Sequence, residues 1–203
     1  MQGKLMHLSP IAHIRGKRPD MTKPRCPWCG TDPDYIAYHD HEWGRPERDP
    51  RKLWESLMLE GFQAGLSWIT ILRRRDAFRT AFAGFDPEII ATWGEADITR
   101  LLANPAIIRH RGKIAATITG AGAFLKIEEM QGFTDFIWSF ANQTRQPAPA
   151  SSQDLPARTE ASTKLSKALK SHGFKFCGPT ITYAFMQANG LVNDHVQGCY
   201  LSP

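Results

Sequence analysis

The amino-acid sequence predicts an all-α fold. Apolar residues recur at helical spacing through much of the chain, as at 53–58 and 114–125. Capping residues and prolines stand before several of these runs, where a helix would begin. Strand signals are few and no internal repeat is visible, so helices are expected to form the core.

Chain length and composition predict a soluble globular protein. The 203 residues are the usual size of one domain or a tightly joined pair, and 42% are apolar. The net charge of +5 suits a polyanionic partner, although an ordinary basic protein has the same charge. No apolar run approaches the roughly 20 residues that span a bilayer, and the N-terminus lacks the apolar region of a signal peptide. We therefore expect a cytoplasmic protein with no membrane partner.

The chain divides into an N-terminal extension and one domain. Residues 1–22 lack amphipathic periodicity, which predicts a flexible extension. Residues 23–203 are expected to be a single domain with a helical core at about 47–142. Residues 143–156, rich in Pro, Ala, Ser and Gln, are the best linker candidate. Their position suggests that the C-terminal helices return to pack against the N-terminal segment.

Individual helices are predicted from their start signals. Asp49-Pro50 and Asp86-Pro87 each indicate a helix start, because an aspartate caps the first turn and proline fits its first position. Ser67 is expected to cap a helix that runs past Phe78. Further helices are predicted at 97–103, 113–129, 159–172 (closed by Gly173) and from Pro179 to near Gly190. Residues 134–140 are expected to be aromatic and buried.

Cysteine and histidine residues near the two chain ends suggest a metal site. Twelve residues separate Cys26 from His39, and His195 and Cys199 are four positions apart, which puts both on one face of a helix or of its last turn. Two thiolates and two neutral imidazoles form a tetrahedral zinc set. Four protein ligands would leave no position open for water, so the expected role is structural.

Two alternatives involve Cys29. Cys26 and Cys29 could both ligate zinc and displace His39 from the set. The same CxxC spacing could instead be a redox pair, although the strand-rich context usual for such pairs is absent.

A basic segment at 104–118 resembles a helix-hairpin-helix. Such hairpins offer backbone N–H groups at a helix N-terminus to a phosphate. Arg109, Arg111, Gly112 and Lys113 are the candidate contacts to a DNA backbone. The usual hairpin has two glycines and this one has a single glycine, so an exposed basic helix start explains the pattern equally well.

The segment at 59–72 contains a carboxylate in apolar surroundings. Glu60 is either a buried hydrogen-bond acceptor or a surface residue near a helix end. Gly65 and Leu66 lie in a turn between helices, which could push into a base stack. An ordinary helix corner with its leucine in the core is the simpler interpretation of that turn.

Five segments together resemble the 3-methyladenine DNA glycosylase I (TAG) family, within the helix-hairpin-helix glycosylase superfamily. They follow one another in the family's order and cover nearly the whole chain from Cys26 to Cys199. These segments are DPDYIAYHDHEWG at 32–44, LEGFQAGLSWITIL at 59–72, IIRHRGKI at 107–114, GFKF at 173–176 and LVNDHVQGC at 191–199.

The resemblance implies roles for individual residues. Its structural zinc ligands fall on Cys26, His39, His195 and Cys199. Its base-pocket residues fall on Glu60, Tyr38 and Trp68, with further aromatics on Tyr35, Trp43 and Trp28. Its stack-filling loop falls on Gly65 and Leu66. Two departures are Cys29, which could compete for the metal, and the N-terminal extension, which has no family counterpart.

The resemblance further implies hydrolysis of the N-glycosidic bond of 3-methyladenine in double-stranded alkylated DNA, after the base has been flipped out. Free base would be released and an abasic site left. No lysine stands out as a Schiff-base nucleophile, so a monofunctional enzyme is expected. A single compact domain that binds one lesion is expected to be a monomer. A damage-binding module that does not cut, and the redox protein, are the alternatives.

Overall fold

A computed structural model describes residues 20–141 and 147–203. Within these residues the secondary structure is entirely helical, with no β-strand, which confirms the all-α class. Most of the extension predicted at 1–22 lies outside the described residues. No helix in the described part is long and apolar enough to cross a membrane.

Ten α-helices and three short 3₁₀ turns make up the described residues. The helices are α1 Pro33–His41, α2 Pro50–Gln63, α3 Trp68–Leu72, α4 Arg75–Ala81, α5 Pro87–Ile90, α6 Glu95–Leu102, α7 Arg111–Gln131, α8 Phe133–Trp138, α9 Glu160–Ser171 and α10 Pro179–Ala188. The 3₁₀ turns are Pro27–Cys29, Ala83–Phe85 and Ser152–Asp154. Helix α1 was not predicted, because its apolar residues follow no clear helical stripe.

Most predicted helix starts are confirmed by their caps. The carboxylates of Asp49 and Asp86 each accept hydrogen bonds from two backbone N–H groups of the following turn. Thr159 caps α9 in the same way through its hydroxyl. These caps satisfy N–H groups that have no partner inside the helix.

The helix predicted to run from Ser67 past Phe78 is wrong in its length. Helix α3 ends at Leu72 and α4 begins at Arg75. The Ser67 hydroxyl bonds the hydroxyl of Thr70 at 2.9 Å and does not cap the backbone. Tertiary packing explains the break. The buried Arg75 pairs with the carboxylate of Glu42, which follows α1, and Phe78 packs in the main core.

Helix α2 is the centre of the main hydrophobic core. It packs against α3, α7, α8 and α10, and its Trp54 and Phe62 are almost completely buried. A second, smaller cluster joins the two ends of the described chain. Its buried members are Cys26, Tyr38, Trp43, Leu72, Val196 and Cys199.

Backbone hydrogen bonds tie the N-terminal segment to the end of α10. The amides of Gly44 and Glu47 donate to the carbonyls of Gln187 and Asn189, at 3.0 and 3.1 Å. Gly44 has a φ of +76°, and a Cβ there would lie 2.9 Å from Nε2 of His195. A glycine is therefore required at this close approach. The predicted return of the C-terminal helices to the N-terminal segment is confirmed.

Candidate active site and metal centre

The four residues predicted as metal ligands lie together and are buried. The ligand atoms of Cys26, His39, His195 and Cys199 are all within 4.8 Å of one another. Three of the separations are short: Cys199 Sγ to His39 Nε2 is 3.4 Å, and His195 Nδ1 is 3.5 Å from each sulfur.

This geometry fits a tetrahedral cation. Ligand bonds of roughly 2.0–2.3 Å around a tetrahedral zinc place neighbouring ligand atoms about 3.3–3.8 Å apart. The observed separations of 3.4 and 3.5 Å fall in that range. Burial raises the pKa of Cys26 to about 12 and lowers the pKa of His195 to about 4. The imidazole is thus neutral, as a ligand must be, whereas the thiolate needs a bound cation to stabilise it.

Both imidazoles are also oriented by an acceptor beside the second ring nitrogen. Nδ1 of His39 lies 2.9 Å from Oδ1 of Asp40, and Arg25 donates to both oxygens of that carboxylate. Nε2 of His195 lies 3.3 Å from the carbonyl oxygen of Trp43. An acceptor at the second ring nitrogen fixes the tautomer that leaves the first one free for a metal.

Cys29 is buried but lies outside this cluster. Its Sγ donates to the carbonyl oxygen of Cys26 at 3.2 Å, and it is not among the grouped ligand atoms. The grouped donor atoms therefore include His39 and leave out Cys29, which agrees with the ligand set that the family resemblance implied. The thiol of Cys29 is engaged with backbone, which is unfavourable for the redox alternative.

A cavity of about 320 Å³ adjoins the metal cluster and brings together the six predicted pocket side chains. Ring pairs form its walls: Tyr38 with Trp68 at 5.5 Å between centroids, and Trp28 with Trp43 at 5.1 Å. The cavity is lined by Trp28, Tyr35, Tyr38, Trp43, Glu60, Gln63, Trp68, Ser152, Leu155, Ala184 and Gln187.

Among the ionisable groups that line this cavity, Glu60 has the pKa that is shifted closest to pH 7. The residue is 4% exposed, and burial alone raises its pKa to about 8. Within the described residues its carboxyl group forms no hydrogen bond. A buried acceptor of this kind needs a partner, which a ligand with an N–H group can supply.

Three further polar atoms around the cavity have no partner. They are Nε1 of Trp28, Nε1 of Trp68 and Oγ of Ser152, all buried and without a hydrogen bond in the described part of the chain. Nε1 of Trp54, buried in the main core, also lacks a partner in the described part of the chain, so the case for a ligand site here rests on Glu60 and the aromatic walls.

The predicted stack-filling loop lies outside the cavity. Leu66 is 40% exposed, so the interpretation that placed it in the core is wrong. Gly65 has a φ of +85°, and Gln63 donates to the carbonyl of Leu66 at 2.7 Å. Gln63 links the loop to the cavity that it also lines.

The predicted DNA-backbone residues divide into an exposed and a buried group. Arg109, Arg111 and Gly112 are exposed at the start of α7. The N–H groups of Arg111 and Gly112 have no acceptor within the described residues. Lys113 is buried instead, and its Nζ donates to the carbonyls of Phe62 and Ala64 at 2.9 and 2.7 Å.

Sequence reasoning missed five cavity residues. Gln63 lies one helical turn from Glu60, so helical spacing could have identified it. Ala184 and Gln187 share one face of α10, which leads to the metal ligands, but no motif marked them. Ser152 and Leu155 belong to the stretch predicted as a linker.

Residues 147–155, which we call the strap, connect α8 to α9 and contain no α-helix, but they also pack on the domain. Residues 143–146 of the predicted linker lie outside the described residues. The amide of Gln197, between two metal ligands, donates to the carbonyl of Pro149 at 2.9 Å. Its side-chain amide donates to Ala148 at 3.3 Å. The strap thus packs on the metal-binding loop and walls the cavity.

The family model for methyladenine glycosylases matches residues 28–202. The chain belongs to the methyladenine glycosylase family. DNA-3-methyladenine glycosylase 1 of Escherichia coli is 54% identical over 88% of this chain and 97% of its own. DNA-3-methyladenine glycosylase of Haemophilus influenzae is 50% identical over 86% of this chain and 96% of its own.

Solved structures in the family share the fold. A crystal structure of 3-methyladenine DNA glycosylase I (TAG) has a TM-score of 0.85 at 55% identity, covering 88% of this chain and 100% of that one. The Staphylococcus aureus enzyme, solved to explain its recognition of 3-methyladenine, has a TM-score of 0.84 at 39% identity, covering 88% and 96%. The resemblance inferred from the five segments is confirmed.

Proposed function

We propose that this chain is a base-excision repair enzyme that removes 3-methyladenine from alkylated DNA. The observation that carries the proposal is the cavity, in which the unpaired, buried Glu60 faces aromatic walls. The relatives that carry the name of this activity match along almost their whole length.

The proposed chemistry relies on selection of the lesion. Adenine methylated at N3 in DNA carries a positive charge, and its glycosidic bond is already weakened. Tyr38 and Trp68 offer π faces that attract a flat cation, and Glu60 offers an acceptor to its exocyclic amine. A cation in the cavity also favours the ionised form of Glu60, opposing the effect of burial.

The base must leave the duplex to reach this cavity. Enzymes that act on a base within a duplex extrude it into a pocket, and apolar side chains can wedge into the stack. We assign the wedge to Leu66 and the backbone turn to Gly65. Lys113 would act indirectly, because it holds the carbonyls that precede this loop.

The start of α7 is the proposed phosphate contact. Arg109 and Arg111 supply charge, and the N–H groups of Arg111 and Gly112 supply donors at the positive end of a 21-residue helix. Helix α6, the connecting residues 103–110 and α7 would then form the helix-hairpin-helix on double-stranded DNA.

Water is the proposed nucleophile, leaving free base and an abasic site. The amine of Lys113 is bonded to two carbonyls, which favours a monofunctional hydrolase over a Schiff-base mechanism. The Cys₂His₂ cluster would hold a zinc ion with a structural role, since four protein ligands fill its coordination. A monomeric state, a single domain over 23–203 and a cytoplasmic location stay predictions.

The test measures bases released from methylated duplex DNA by the zinc-loaded protein. We expect release of 3-methyladenine. Binding of the DNA without release would instead support the damage-binding module and contradict the enzyme.

A further inference from the structure

Two side chains hold the end of α2, where the stack-filling loop begins. Nζ of Lys113 donates to the carbonyls of Phe62 and Ala64 at 2.9 and 2.7 Å. Nε2 of Gln63 donates to the carbonyl of Leu66 at 2.7 Å. Three alternate carbonyls of the segment 62–66 therefore accept hydrogen bonds from side chains, and two of these bonds come from a different helix.

The chain leaves α2 through a type II turn over residues 63–66. The amide of Leu66 donates to the carbonyl of Gln63 at 2.7 Å, which closes the turn. Ala64 has a φ of −48° and a ψ of 115°, and Gly65 has a φ of +85°. These angles are those of a type II turn, in which the third residue has a positive φ that glycine adopts without strain.

Lys113 selects this turn over its alternative. Types I and II differ by a flip of the central peptide, which here joins Ala64 to Gly65. The hydrogen bond from Nζ of Lys113 to the carbonyl of Ala64 holds that peptide in the type II orientation. The direction in which the chain carries Leu66, which is 40% exposed, follows from the orientation of this peptide.

An ammonium group is suited to this place. The last carbonyls of a helix have no N–H partner within it, and a positive charge is favourable beside them. Three donors allow Lys113 to bond two carbonyls at once. The residue is 8% exposed and lies in the first turn of α7, directly after Arg111 and Gly112. One buried side chain thus joins the stack-filling loop to the start of α7.

We infer that Lys113 and Gln63 are positioning residues, which hold the stack-filling loop in its type II turn before DNA binds. The inference rests on the proposed function for the role of Leu66. It goes beyond that function by assigning the shape of the loop to two side chains outside it. A loop that is already formed loses less conformational entropy when it enters the base stack.

Affinity for a duplex with a tetrahydrofuran abasic site, measured by fluorescence anisotropy, tests this role without a base or a reaction. Lys113→Met removes the donors at similar length and should weaken this affinity about tenfold. Leu66→Ala should have a similar effect. If Lys113 acts through Leu66, the double variant should be no more than about twofold weaker than either single variant.

The dependence on salt separates a positioning role from a direct phosphate contact. The slope of log affinity against log salt should not change in Lys113→Met, whereas loss of a phosphate contact would lower its magnitude by about one. Lys113→Arg keeps the charge and the donors and should lose less affinity than Lys113→Met. Lys126→Met, the same substitution at an exposed site on α7, should bind as the unsubstituted protein does.

Gln63→Met provides a second test that does not depend on how well Lys113→Met folds. It removes the donor to the carbonyl of Leu66 at a half-buried position. Affinity for the abasic duplex should fall roughly two- to tenfold, again without adding to the effect of Leu66→Ala.

Three results would overturn the inference. They are additive losses in these double variants, unchanged affinity in Lys113→Met or Leu66→Ala, and a reduced salt slope in Lys113→Met. Failure of the unsubstituted protein to release 3-methyladenine from methylated DNA would overturn only the proposed function, because the abasic duplex contains no base to release.

Discussion

The metal cluster and the base cavity lie side by side but differ in how their polar groups are satisfied. In the cluster, each imidazole is oriented by an acceptor, and the four ligand atoms face one another. Around the cavity, Glu60 and three other polar groups lack partners within the described residues. The cluster is complete with one cation, whereas the cavity is complete only with a ligand. Such a difference is expected between a structural metal site and a ligand-binding site.

The two sites nevertheless share a wall. The ring of Trp43 lies 4.7 Å from that of His195 and also lines the cavity. Tyr38 precedes the ligand His39 in α1, so its placement depends on the same helix. Loss of the metal should therefore disturb the cavity, while changes inside the cavity should leave the metal in place. Substitutions at Cys199 and at Glu60 test this asymmetry.

The largest effect is expected from Cys199→Ser. Removing one thiolate should abolish stoichiometric zinc binding and destabilise the fold by on the order of 4–5 kcal/mol, because a metal site joins the two ends of the described chain. Zinc content and thermal unfolding measure both effects. Cys29→Ser is the matched control and should retain one zinc per chain, since Cys29 lies outside the cluster. Retained zinc in Cys199→Ser would refute the donor set.

The next effect is a pH dependence of stability that originates in the cavity. Glu60 has a pKa of about 8 in the folded protein, above its ordinary value of 4.5. Between these pH values the folded state binds more protons than the unfolded state, so the free energy of unfolding falls as pH rises. Glu60→Gln should remove this contribution, which is on the order of a few kcal/mol.

Thermal or urea unfolding at pH 5 and pH 9 measures that difference. The variant should match the unsubstituted protein at pH 5 and exceed its stability at pH 9. Zinc content should not change. Equal stability of the two proteins at both pH values would show that Glu60 is solvated in the folded state.

The same substitution should lower activity at neutral pH. Loss of a charged hydrogen bond to the base costs roughly 1.5–3 kcal/mol, about ten- to 150-fold in kcat/KM for release of 3-methyladenine. Glu55→Gln is a matched control, because Glu55 is a mostly buried carboxylate of α2 that pairs with Arg79 outside this cavity. Full activity in Glu60→Gln would contradict the pocket assignment.

How much the sequence could predict also differs between the two sites. The metal ligands follow from residue type and spacing, because cysteine and histidine pairs carry their chemistry wherever the fold brings them together. Spacing left Cys29 as an alternative, and only the placement of its Sγ beside a carbonyl excluded it. Helix starts such as Asp49 were predictable for the same local reason, since a cap acts within one turn.

The cavity was predictable only through family resemblance. Glu60 has no special spacing, and its significance comes from burial among aromatic rings from other helices. Ser152 lies in a stretch whose composition is typical of a linker, and only packing on Gln197 places it at the cavity. The break between α3 and α4 was missed for a similar reason, because burial of Arg75 is a tertiary effect.

The smallest effect is expected at the exposed start of α7, which touches neither site. Arg109→Ala should weaken binding to duplex DNA about threefold, equally for all sequences, since a phosphate contact carries no base information. The slope of log affinity against log salt should fall in magnitude by about one. Lys126→Ala is the control, because Lys126 is exposed on α7 about 22 Å beyond the first residue of that helix. An equal loss of DNA affinity in both variants would indicate a general charge effect. Only a loss confined to Arg109→Ala supports the hairpin as the site that holds the duplex while the base enters the cavity.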